Sequence, residues 1–79
     1  MMNRPRAAPA AAPLEDLTRR EEEILRLVAK GLSNKEVARE LDLQEKTVKH
    51  YMTAILGKLQ AKNRVEAAII AHEAWREKR

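Results

Sequence analysis

Apolar residues recur along this chain at helical spacing, in four blocks set apart by polar turn signals. Ile24, Leu25, Leu27 and Val28 form the first block. Val37, Ala38 and Leu41 form the second. Val48, Tyr51, Met52, Ile55, Leu56 and Leu59 form the third. A fourth runs from Val65 through Ala67, Ala68, Ile69, Ile70, Ala71 and Ala74. Nothing alternates with the period of a strand, so the pattern predicts an all-α chain. Three of the four blocks open on a start signal. Thr18 with Glu21, and Ser33 with Glu36, are capping boxes, in which a hydroxyl and a carboxylate three residues apart satisfy free amides at a helix start. Asn63 with Glu66 repeats the offset. The first helix should stop at Gly31, where glycine takes a left-handed conformation at little cost. Asp42–Leu43–Gln44 reads as a short turn, with Asp42 tolerating that conformation better than most residues. A third helix follows over about 45–60, and a fourth runs from Asn63 to about Trp75 or slightly beyond.

The third helix has two unlike sides. At about 100° per residue, Lys46, Lys49, His50, Thr53, Gly57 and Gln60 share an arc of about 100°, and the apolar residues occupy the opposite side. One side is suited to burial and the other to a polar partner. A short helix, a three-residue turn and a second helix make a helix-turn-helix, in which the first helix crosses a nucleic-acid backbone and the second enters the major groove. Small Ala38 lets the pair approach closely. Val37, Leu41, Leu43, Val48 and Met52 should fix their angle over the first helix.

Charge adds to this picture. The chain has 79 residues and a formal charge of +4, unevenly spread. Residues 14–43 sum to −2, and residues 44–64, with Lys46, Lys49, Lys58, Lys62 and Arg64 against Glu45, sum to +4. The basic excess sits on and just after the two-sided helix, as a phosphate backbone requires. A solvated helix face would carry scattered lysines as well. Lys49 can donate to guanine O6 and N7, and His50 and Thr53 lie beside it within reach of base edges. Lys46 and Thr47 stand at the helix start, where free amides attract phosphate. Ser33, Asn34 and Lys35 are placed to clamp a neighbouring phosphate, and Lys58, Lys62 and Arg64 to extend that contact. Gly57 on this arc is compatible with a close backbone approach and equally with drift.

The remaining composition narrows the classes. Cysteine is absent and the two histidines are far apart, which disfavours a thiolate or zinc site. No paired carboxylates or phosphate-cradling glycine loop mark an enzyme, and no cofactor is expected. No apolar run approaches the roughly 18 residues that span a bilayer. The start lacks a secretory pattern, so the chain reads as cytoplasmic. Residues 3–13, NRPRAAPAAAP, are rich in alanine and proline and read, with the first two residues, as a flexible linker or arm over 1–13, leaving 14–79 as the domain. Such a segment fits a tether to an upstream domain as well as a free arm.

These residues resemble a known family. LTRREEEILRLVAKGLSNKEVARELDL, EKTVKHYMTAILGKL and NRVEAA together are similar to the LuxR-type (GerE-like) DNA-binding domain, as in the C-terminal half of NarL/FixJ-type response regulators. The resemblance covers about residues 14–75. It implies a four-helix domain, with a trihelical core plus a C-terminal support and dimerisation helix, that regulates bacterial transcription. By position, Lys49, His50 and Thr53 match base-contact sites, and Asn34, Lys35, Lys46, Thr47 and Arg64 match backbone-contact sites. It also implies a homodimer on DNA and an upstream receiver or sensor domain, with RNA polymerase as a further partner. On the fourth helix, Ile69, Ile70, His72 and Trp75 are the dimer candidates. The pattern leaves open whether Val65, Ala68, Ile69 and His72 or Ala67, Ile70, Ala71 and Ala74 face the partner. This chain departs from the family at four points. Gln44 stands where Ser or Thr commonly caps the recognition helix, Tyr51 replaces a common histidine, and Ala54 and Gly57 replace larger polar residues. A sigma-factor region 4-like module is the nearest rival, disfavoured by NRVEAA and the fourth helix. A protein-interaction module with an incidental basic face is the rival of another class. It predicts little salt-dependent DNA binding.

Overall fold

A computed structural model describes residues 14–77; the alanine- and proline-rich stretch expected to be a linker lies outside the described residues. Four helices follow in order: α1 Arg19–Ala29, α2 Asn34–Leu41, α3 Glu45–Leu59 and α4 Arg64–Glu77.

Local chemistry explains each boundary. At the start of α1, Thr18 Oγ1 accepts from Glu21 N–H at 3.1 Å, and Glu21 Oε1 accepts from Thr18 N–H at 2.9 Å. Ser33 and Glu36 repeat the exchange at 3.2 and 2.8 Å before α2. Helix α1 ends as expected on Gly31, at φ +100°. There Gly31 N–H reaches Val28 O at 2.9 Å and Leu32 N–H reaches Leu27 O at 3.2 Å, which satisfies two carbonyls left over at the helix end. Asp42 takes the left-handed conformation at φ 59°, and Leu43 N–H closes onto Ala38 O at 2.8 Å.

Two boundaries differ from the sequence expectation. Gln60 is also left-handed, at φ 56°, with Ala61 N–H on Leu56 O at 3.0 Å. Glutamine carries no local signal for this conformation, and the tight turn into α4 imposes it. At the start of α4, Asn63 Oδ1 accepts from Glu66 N–H at 2.9 Å, but the Glu66 carboxylate accepts from Lys62 N–H at 2.7 Å rather than from Asn63. The box is opened by one residue.

The core is a single cluster. Ile24, Leu25 and Val28 of α1 meet Val37 and Ala38 of α2, then Val48, Met52, Ile55 and Leu59 of α3. Helix α4 adds Ala67 and Ala71, both fully buried. Small side chains there let α4 lie close along α1, its main neighbour. The buried side of α4 is therefore the Ala67–Ala71–Ala74 side, with Ile70 packed at its edge. Leu41 and Leu43, on either side of the short turn, pack half-buried against the cluster and tie the α2–α3 pair to it.

Candidate nucleic-acid interface

Helix α3 is two-sided as its sequence implies. Val48, Met52, Ile55 and Leu59 are buried, and Lys46, Lys49, His50, Thr53 and Gly57 are exposed, with Thr47 half-buried at the helix start. Residue Gln44 makes no side-chain cap. The first-turn amides of α3 therefore lack that partner, and they stand beside Lys46 and Thr47. The exposed side chains differ in what they offer. Lys49 is a cation with three donors, while His50 has a donor and an acceptor when neutral. Thr53 Oγ1 donates to Lys49 O at 3.2 Å. Its lone pairs and methyl group remain for anything that approaches.

The second cluster forms where α2 and α4 begin. Arg64 donates through Nη1 to Asn34 Oδ1 and through Nη2 to Leu32 O, each at 2.7 Å. The half-buried guanidinium thus ties together two segments that sequence reasoning assigned separately to phosphate. Ser33 uses its oxygen lone pairs in the α2 cap and keeps its hydroxyl proton as a donor. Asn34 likewise keeps its amide donors, and Lys35 is exposed. The structure therefore brings Ser33, Asn34, Lys35 and Arg64 into one donor-rich corner, and Lys62 is exposed just before α4.

Lys58 departs from the expectation of a phosphate contact. Its ammonium donates to Glu21 Oε1 at 2.8 Å and to Asp16 O at 3.2 Å. The physical reason is Glu21, a carboxylate only 6% exposed, which needs a cation within reach. Burial pushes the Glu21 carboxyl up, but the Lys58 ammonium and the Thr18 bonds outweigh it and hold the group below the ordinary glutamate range. Sequence reasoning read Glu21 only as a cap. It also lines an open groove of about 480 Å³ with Lys46, Thr47, His50, Tyr51 and Ala54. This acid borders the basic face, and its pairing with Lys58 offsets its repulsion of phosphate. The 37-residue separation of the two gave no local signal.

The dimer candidates divide. Val65 and Ile69 are 63% and 53% exposed, the large apolar side chains left open to solvent among the described residues. Ile70 instead packs at the core, and Trp75 is half-buried with the Arg26 guanidinium 4.3 Å from its ring centroid. These two belong to the chain's own packing, because the alanine side of α4 turns them inward. His72 is exposed on the Ile69 side, with Nε2 2.7 Å from Ala29 O.

No helix among the described residues is long and apolar enough to cross a membrane. No cluster of three or more His, Asp or Glu among them is placed to hold a metal ion.

Comparison with known proteins agrees with this geometry. The family model described as bacterial regulatory proteins, luxR family, matches residues 15–71. Over 62 residues the chain is 52% identical to the transcriptional regulatory protein LiaR of Bacillus subtilis, covering 78% of this chain and 29% of that protein. It is 48% identical over 60 residues to the nitrate/nitrite response regulator NarL of Escherichia coli K12, covering 76% and 28%. It is 43% identical over 70 residues to the DNA-binding transcriptional activator DevR/DosR of Mycobacterium tuberculosis, covering 89% and 32%. The chain thus spans about a third or less of the length of these curated relatives.

Proposed function

The chain belongs to the luxR family of bacterial regulatory proteins, and we propose that it binds double-stranded DNA sequence-specifically to regulate transcription. Helix α3 lies in the major groove. The observation that carries this reading is the exposed row Lys46, Lys49, His50 and Thr53, backed by a fully apolar face that fixes its orientation. Lys49, His50 and Thr53 contact bases. Lys46, Thr47, Ser33, Asn34, Lys35, Lys62 and Arg64 contact the phosphate backbone, Arg64 while it holds Asn34 in place. Lys58 acts indirectly, by cancelling the charge that Glu21 would otherwise present to phosphate. The unit that does this is 14–79, with 1–13 as a linker. It acts as a homodimer on two half-sites, and as the output domain of a response regulator whose receiver or sensor domain lies upstream. RNA polymerase is a further partner. The setting is the cytoplasm, and the domain is not an enzyme and needs no cofactor.

The test is a titration of the labelled chain with a short mixed-sequence duplex at low salt, following backbone amide shifts, with two variants alongside. Shifts should concentrate at Ser33–Lys35, Lys46–Thr53 and Arg64. Lys49→Ala should weaken specific binding by about 1–3 kcal/mol and relax one base pair, and Lys35→Ala should weaken all sequences alike and lower the log–log salt slope by about 0.9. Shifts confined to Ile69–Trp75 would overturn the reading in favour of a protein partner.

A further inference from the structure

We infer that Thr53 is a specificity-determining residue that selects an A·T pair and rejects a guanine facing it. This rests on the major-groove reading of α3. Thr53 is exposed on the outward side of that helix, one turn beyond Lys49. Its hydroxyl donates to Lys49 O at 3.2 Å. Threonine in a helix takes this rotamer because the carbonyl one turn back is a ready acceptor. In a dehydrated groove the carbonyl is a preformed partner, and a proton turned away from it would need another. While that bond holds, what Thr53 presents to DNA is an acceptor and a methyl group.

The major-groove edges respond differently to that combination. Guanine shows two acceptors, N7 and O6, which Thr53 can bond only by breaking its bond to Lys49 O, and it offers no methyl contact. Cytosine shows an N4 amino donor but no methyl. An A·T pair shows both an adenine N6 donor and a thymine methyl. Only the A·T pair matches both halves of the side chain at once. Lys49 asks for the opposite chemistry, because an ammonium donates and cannot accept. The two residues, linked by their own hydrogen bond, thus read neighbouring positions with complementary demands. Each also constrains the other, since the bond holds the Thr53 hydroxyl against the backbone of the residue that carries the lysine.

The experiment is selection of bound duplexes from a randomised pool, followed by competition between defined duplexes for the intact chain. The position read by Thr53 is the one whose preference changes in Thr53→Ser. At that position the wild type should enrich A·T. Replacing the thymine by uracil removes the methyl alone and should weaken wild-type binding about fourfold, as loss of one buried methyl predicts. The same replacement should cost Thr53→Ser less than twofold, because serine lacks the methyl partner. Thr53→Val, which keeps the methyl, should retain the uracil penalty. A 5-methylcytosine·guanine pair supplies an amino donor and a methyl together, and should bind more tightly than the unmethylated pair. Equal uracil penalties in wild type and Thr53→Ser, or selection of a guanine that depends on Thr53, would overturn the assignment. Failure of the groove reading looks different: no salt-dependent duplex binding and no loss on Lys49→Ala, which removes both conclusions together.

Discussion

Glu21 concentrates three jobs in one side chain. It closes the capping box of α1, neutralises Lys58 and stands at the rim of the groove beside α3. Its folded-state pKa is depressed, so its contribution is fully present above the ordinary glutamate range and is lost as pH falls through the folded value. Thermal melts across the acid range should show Glu21→Gln flattening that part of the acid limb. Glutamine can still serve the box, so at neutral pH it should cost less than Glu21→Ala. Lys58→Met leaves a nearly buried carboxylate without its cation and should cost about 1–3 kcal/mol. A loss of DNA affinity in Lys58→Met with an unchanged melting temperature would instead return Lys58 to the phosphate contacts. Gly57 makes a second residue-scale case. A methyl group added there meets nothing within 4 Å, so Gly57→Ala should stabilise the free domain by about 1 kcal/mol. If the duplex approaches this stretch of backbone closely, the same variant should bind it more weakly. Stabilisation with unchanged affinity would mark the glycine as drift.

Helix α3 gains its register from packing more than from its ends. It starts on Gln44, which makes no side-chain cap, and ends on left-handed Gln60. Gln44→Ser should add about 0.5–1 kcal/mol by supplying the missing acceptor. Gln60→Gly should add about 1 kcal/mol by relieving a left-handed side chain. Chemical denaturation of each variant and of the pair measures both, and the two gains should add because the sites are a helix length apart. A destabilised Gln60→Gly would show that the glutamine side chain makes a compensating contact. The same helix shows what sequence can disclose. Its two faces were readable because burial imposes the helical period on residue type, and the boxes at Thr18 and Ser33 were readable because both partners lie three residues apart. The left-handed Gln60, the Lys58–Glu21 pair and the Arg64–Asn34 clamp were not. The pairs join residues 30 or more positions apart, and the backbone conformation at Gln60 is imposed by its surroundings. Charge placed the lysines and Arg64 in a basic region, but only folding decides which cations are already in use.

At the scale of the whole molecule, α4 faces two ways. Its alanine side is spent on α1, and the side carrying Val65 and Ile69 is left exposed, bordering a groove at the end of α1. Sequence leaves Ile70 and Trp75 as available as Ile69, and it is the choice of alanines for the buried side that turns them toward the core. If two copies meet through α4, Ile69 rather than Ile70 is the contact, and a charge there should separate assembly from groove binding. Ile69→Asp should leave the unfolding free energy within about 0.5 kcal/mol of wild type, since an exposed position carries little of the fold. It should leave affinity for a single half-site unchanged. On a duplex carrying two half-sites about one helical turn apart, wild type should bind more tightly than two independent sites allow, and Ile69→Asp should lose that excess. Gel-shift titrations on one-site and two-site duplexes read both quantities. Equal cooperativity in wild type and variant would move the contact away from this face of α4, while a loss on the single site would mean that Ile69 supports the Arg64–Asn34 corner instead.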